Sequence, residues 1–217
     1  SGKDSNITPS QMPRRNLWDA ALYAEANYKF LPRFQLNAGI RLSVLHAPSS
    51  SYYAAKMFVM PEPRAELSLA PTSSHRFSAS YTQAAQSIHM LTTSSVGIPS
   101  DIWMPVNALL KPSVMRQLAL GYEYNFPDKE YTLSLEAYMR RTSHVVDYRE
   151  NADIFQNDQI ESELETGFAK GCGLEFYFSK NKGPVTGWLS YTLSRARNHI
   201  GGVEYRPAYD RPHNLKL

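Results

Sequence analysis

Six histidines (His46, His75, His89, His144, His199 and His213) and one cysteine, Cys172, are the residues of this sequence best suited to ligate a metal or to act as a nucleophile or its base. No two of the histidines stand at a metal-ligand spacing on a predictable element, and one cysteine makes neither a zinc signature nor an intrachain disulfide. Cys172 reads as a small packing residue in a strand. Glu161, Glu163 and Glu165 form an acidic run that could attract a cation, but the simpler reading is a solvated loop edge. Gly-rich phosphate loops and nucleophile elbows are absent, and the serines at 49–51 and 93–95 suit flexible loop. The expectation is therefore no catalytic residue, no metal site and no cofactor. The chemistry left to this sequence is recognition.

Tyrosines, a tryptophan and side chains with charged or amide ends are the groups that could recognise a ligand. Those in the stretches between periodic segments are Tyr52 and Tyr53; His89, Asp101 and Trp103; Tyr148, Asn157 and Asp158; and Arg195, Arg197 and Tyr205. Loops carried on a rigid scaffold are where binding residues concentrate. For Trp103 and its neighbours, loop packing or an interfacial aromatic outweighs ligand contact. Asp210, Arg211 and His213 read as a structural knot where a loop enters a strand.

The elements that position these groups follow from periodicity. Trp18, Ala20, Leu22, Ala24, Ala26, Tyr28 and Phe30 alternate with polar neighbours, as do Phe34, Leu36, Ala38, Ile40, Leu42 and Val44. Period two is the signature of a strand. Both sets fall on even positions, so the hairpin between them needs an odd-length turn such as residues 31–33. Alternation returns around 62–69, 76–82, 118–126, 131–139, 172–179 and 187–193, and a ninth strand begins near His213. Between Phe126 and Tyr131 the apolar parity changes from even to odd, which requires an even-length turn.

The connections alternate as well. They are short within each successive hairpin but long at 46–56, 84–113, 150–167 and 195–208. An up-and-down barrel of the bacterial outer membrane has this asymmetry, with short periplasmic turns and longer extracellular loops. No run approaches the ~18 apolar residues of a membrane-spanning helix. The 14 Tyr, 9 Phe and 3 Trp suit interfacial girdles. A net charge of +3 from interspersed residues offers no tract for nucleic acid. The fold class is thus all-β, an antiparallel up-and-down meander of about eight to nine strands in a transmembrane barrel. A self-contained small outer-membrane barrel and a soluble ligand-binding barrel are the alternatives.

Several stretches add a resemblance. Ile98-Pro99-Ser100-Asp101-Ile102-Trp103, Lys111-Pro112 and Gln117-Leu118-Ala119-Leu120-Gly121-Tyr122 resemble the late barrel of TonB-dependent receptors. So do Ser134-Leu135-Glu136-Ala137-Tyr138, Asp147-Tyr148-Arg149, Gly173-Leu174-Glu175, Gly187-Trp188-Leu189-Ser190-Tyr191 and Tyr209-Asp210-Arg211-Pro212-His213-Asn214. Each motif is weak alone, but their order is that of the family, and the similarity covers about residues 17–217. The resemblance implies a barrel of about 22 strands around an N-terminal plug, in the outer membrane of a Gram-negative cell. It implies partners as well: outer-membrane lipid, the plug domain, the TonB complex acting through the plug, and a scarce nutrient such as a siderophore, cobalamin, glycan or peptide. Residues 1–16 are expected to be a linker or cloning remnant and 17–217 a partial barrel, an internal piece with two unpaired edges.

Overall fold

A computed structural model describes residues 16–50, 53–91, 102–128, 130–149, 152 and 160–217. The chain opens with β1 (Trp18–Leu31), β2 (Phe34–Ala47), β3 (Lys56–Leu69) and β4 (His75–Gln86). A short pair, β5 (Ile88–Leu91) and β6 (Ile102–Pro105), interrupts the meander. It resumes with β7 (Ser113–Asn125), β8 (Tyr131–Tyr148), β9 (Leu164–Lys180) and β10 (Gly187–Ile200), and ends in β11 (Val203–Tyr205) and β12 (His213–Lys216). All pairings are antiparallel in the order β1-β2-β3-β4-β7-β8-β9-β10-β11, with β12 sharing β10 below β11. The expected meander is what forms.

The strands outrun their sequence patterns at the long-loop end. β8 continues to Tyr148 and β10 to Ile200, so Arg195 and Arg197 lie in a strand rather than in the loop expected at 195–208. Residues 84–113, expected as one loop, contain the end of β4, the β5–β6 hairpin and the start of β7. Alternation marked only the part of each strand with contrasting faces. Backbone pairing continues past it, because Arg141↔Lys170 and Lys170↔Arg197 need no apolar face to stay in register.

The first turn also differs from expectation. Even positions of β1 and β2 face the same way, as Tyr28↔Leu36 and Trp18↔His46 show. The turn itself holds two residues, Pro32 and Arg33, and a register shift between Tyr28 and Leu31 absorbs the odd residue. A bulge therefore does the work assigned to an odd-length turn.

One face of the sheet is apolar and open. Across β4, β7, β8, β9 and β10 the directly paired residues form rows: Phe77, Tyr122, Leu135, Phe176 and Tyr191, then Ala79, Leu120, Ala137, Leu174 and Leu193. Leu118, Leu120, Met139 and Leu174 are all more than half exposed there. At the short-turn end the same face carries aromatic contacts running from His75 through Tyr124, Phe126 and Tyr131 to Phe178, with ring centroids 4.8–5.7 Å apart. The opposite face is charged. Arg64 reaches over Gly39 to pair with Glu25, and Arg41 lies 3.7 Å from Glu62, which accepts a hydrogen bond from Ser43 at 2.6 Å. An apolar face this broad left open on a folded sheet has to meet something other than water. No helix among the described residues is long and apolar enough to cross a membrane.

Buried side chains gather at the long-loop end. Val106, just past β6, packs with Leu45 and Met60 on the charged face of β2 and β3. Leu91, Met104 and Leu110 pack with Val146 near the end of β8 and with Ile160 just before β9. The β5–β6 segment is thereby fastened at both ends to the rim of the sheet.

Candidate functional site

The rim at the long-loop end holds most of the buried polar groups. Asn107 is 2% exposed, and its side-chain oxygen accepts hydrogen bonds from the amides of Leu109 at 2.8 Å and Leu110 at 3.0 Å. Its Nδ2 donates to Glu161 at 3.0 Å, tying the β5–β6 segment to the one-turn helix Ile160–Glu163. Beside it, Arg149 donates twice to the Glu163 carboxylate, at 2.7 and 2.8 Å, in the bidentate geometry that arginine favours. Of the acidic run, Glu161 and Glu163 are thus bound into the rim rather than solvated.

His89 is turned into this structure. Its Nε2 donates to the Lys111 carbonyl at 3.0 Å, and Nδ1 lies 3.4 Å from Ser113 Oγ, whose hydroxyl donates to the His144 carbonyl at 2.9 Å. His144 has a φ of 56° at a bulge in β8 and donates from Nδ1 to the Pro112 carbonyl at 3.1 Å. Burial, seconded by the nearby His144, lowers the His89 pKa below 6.5, while its bond to Lys111 works the other way. The Lys111 carbonyl, which can only accept, places a proton on Nε2. His89 holds the hairpin to β7 and β8.

Tyr205 on β11 donates to Asp147 of β8, across the two strands between them. Burial and that bond push its pKa up to about 12. Tyr148, beside Asp147, is also raised, by burial and then by the Asp147 charge, and its hydroxyl is buried with no hydrogen-bond partner. In the sequence Asp147 stands out only as part of the Asp147-Tyr148-Arg149 stretch. Asn107 was missed altogether, with no signal beyond an Asn followed by Ala and two leucines.

The remaining sequence candidates divide by position. Trp103 is 63% exposed on β6, opposite Met90, and open to contact from above. Tyr53 is half-buried, and its carbonyl accepts from the Ser50 amide at 2.9 Å. Arg195 and Arg197 lie on the apolar side of β10, because Leu189, Tyr191 and Leu193 share their parity. Tyr52, Asp101, Asn157 and Asp158 lie outside the described residues. Asp210 forms the knot expected of it: it accepts from the Ala196 amide at 3.1 Å and from Arg206 at 2.7 Å, while Tyr191 Oη lies 2.7 Å from His213 Nδ1. Among the described residues no group of three or more His, Cys, Asp or Glu could hold a metal ion.

The rim sits on a fold that solved structures share. The FrpB iron transporter from Neisseria meningitidis (F3-3 variant) superposes with a TM-score of 0.62 at 15% identity, over 86% of this chain and 27% of that one. The ferric-catecholate import receptor Fiu from E. coli K12 gives 0.63 at 16% identity, over 92% of this chain and 31% of that one. FpvAI, solved in complex with pyocin S2, gives 0.65 at 14% identity, over 92% and 25%. The chain thus spans between a quarter and a third of the length of each. The curated proteins contain no match to the sequence. The family model for the TonB-dependent receptor-like β-barrel matches residues 1–216, and with the open meander, its two contrasting faces and its loop asymmetry already seen, the chain belongs to that family.

Proposed function

We propose that this chain is a stretch of barrel wall from an outer-membrane receptor that binds a scarce nutrient at its long-loop rim and imports it with energy delivered by TonB through a plug domain. The single observation that carries this reading is the β5–β6 segment. It is folded onto the charged face through Val106 and pinned by Asn107 and His89, while Trp103 stays exposed. A loop held against the wall narrows the mouth of a barrel and presents side chains from a fixed position, as loop-borne binding requires. Tyr53, Trp103 and Tyr205, from the first, second and fourth long connections, are the described residues assigned to ligand contact, with Tyr52 and Asp101 from the first two and Asn157 and Asp158 from the third. His89 and Tyr148 support them from beneath. FrpB is an iron transporter, Fiu a ferric-catecholate import receptor, and OprC, a further solved structure of similar fold, a copper transporter; a metal-bearing small nutrient is the ligand class favoured here.

The test is uptake by Gram-negative cells expressing the full-length receptor and lacking their own. Radiolabelled ferric catecholate, ferric hydroxamate, copper chelate and cobalamin are supplied with and without functional TonB. The reading expects uptake of one of them, lost without TonB and reduced at least tenfold in affinity by Trp103→Ala with barrel assembly unchanged. Uptake of none, or uptake indifferent to TonB, overturns it.

A further inference from the structure

The charged face carries one arrangement twice, with a single member changed. On β1, β2 and β3, Glu25 stands opposite Gly39 and Gly39 opposite Arg64. On β10, β9 and β8, Ala196 stands opposite Gly171 and Gly171 opposite Arg140. Thr82 of β4 and Gln117 of β7 join the two sets into one row. Both arginines lie in the same way. A Cβ on Gly39 would meet Arg64 Nε at 3.1 Å and Cγ at 3.5 Å, and one on Gly171 would meet the same atoms of Arg140 at 3.0 and 3.3 Å. Each side chain is laid flat across a glycine and aimed at the strand beyond it.

The two destinations differ. Arg64 finds the Glu25 carboxylate, whereas Arg140 is aimed at the methyl group of Ala196. Asp210 accepts from the Ala196 amide at 3.1 Å, but its carboxylate is paired with Arg206 at 2.7 Å. Among the described residues no carboxylate pairs with Arg140, which is exposed. Its guanidinium carbon lies 5.9 Å from the centroid of the Tyr138 ring, which itself lies across Gly173. A merely solvated arginine keeps its rotamer freedom. Here Gly171 and Tyr138 hold the fork in one direction, and a guanidinium fork so held is matched to a carboxylate.

Height on the face selects the source of that carboxylate. The next row toward the long loops runs from Thr142 through Ala169 and Asn198 to Tyr205. At ~3.3 Å per residue, Arg140 therefore lies ~7 Å below the level of Tyr205, one of the residues proposed to contact the nutrient. We infer that Arg140 forms the floor of the nutrient site and binds a carboxylate of the nutrient, so that the substrate is an anionic metal chelate with a free carboxylate. Glu25 shows which group this geometry accepts, and Ala196 leaves the place open for one that arrives and departs. A carboxylate fixed in the plug is the other source, and it fits less well with an arginine placed at the foot of the rim. The inference rests on the proposed receptor reading, in which the charged face lines the barrel interior.

The test titrates the full-length receptor in detergent with two ferric chelates, an anionic α-hydroxycarboxylate complex and a neutral hydroxamate complex, and reads binding from quenching of tryptophan fluorescence. Wild type should bind the carboxylate chelate at least tenfold more tightly. R140Q should lose that preference. A196E, which offers Arg140 the acid that Glu25 offers Arg64, should lose it as well although the arginine remains. A196Q, of the same size but uncharged, should keep it.

A preference that survives in R140Q or A196E overturns the inference, as does a wild type that binds both chelates equally. Greater protease cleavage of the plug in R140Q, with the chelate preference unchanged, assigns the carboxylate to the plug and overturns it too. Binding of neither chelate overturns the carboxylate site, and the TonB-dependent uptake assay then decides the receptor reading by itself.

Discussion

Asn107→Ala should release the β5–β6 segment without unfolding the barrel. The substitution removes the acceptor for the Leu109 and Leu110 amides and the donor to Glu161, all at a residue 2% exposed. Two neutral bonds at ~1 kcal/mol each and one charge-assisted bond at ~2 kcal/mol give about 4 kcal/mol. Leu45, Met60 and Val106 retain their packing, and the long β8–β9 and β9–β10 ladders are untouched. The loss therefore falls on local opening rather than on global stability. About 4 kcal/mol is close to a thousandfold in an opening equilibrium. Hydrogen exchange of the full-length receptor in detergent, read at peptides covering 107–112, should accelerate by that order, while peptides within β8 and β9 keep wild-type protection. Acceleration below tenfold at 107–112, or acceleration spread evenly through the strands, refutes the assignment of Asn107 as the pin.

The same segment should respond to acid. His89 has a pKa lowered below its unfolded value of 6.5, so its folded form favours the neutral ring. Its contribution is complete above pH 6.5 and is lost as pH falls toward the folded value; exchange at 107–112, corrected for intrinsic rates, should rise on acidification in wild type and stay flat in His89→Gln. On the charged face, a Cβ at Gly173 would sit 2.7–2.8 Å from the Tyr138 ring, which lies across that glycine. Gly173→Val should cost about 1–3 kcal/mol in urea unfolding of the detergent-solubilised receptor, and Tyr138→Ala should recover most of it; additive costs would show that the two do not share the space.

How much the sequence disclosed depended on whether the signal was local. Trp18 to Phe30 and Phe34 to Val44 declare their strands by alternation, and β1 and β2 form there. The parity change between Phe126 and Tyr131 foretold a turn that keeps Tyr124 and Leu133 on one face, and the two residues are paired. β5 and β6 gave no such signal. They are four residues each, and what holds them is packing of Leu91 and Met104 against Val146 and Ile160, far along the chain. Periodicity places Arg195 and Arg197 in a loop, because Leu193 is the last residue of the apolar alternation, although the strand runs on to Ile200.

The sequence by itself determined the pleat, the two faces and the alternation of short and long connections. Period-two patterning is written in neighbouring residues and survives any register. Only the tertiary structure decided heights and partnerships. Register sets Arg116, Arg141, Lys170 and Arg197 in one row, and pairing between strands is invisible to periodicity within one. Folding of the β5–β6 segment set Asn107 against Glu161, 54 residues away. Alternation says which way a side chain points, and only the completed sheet fixes what it meets there.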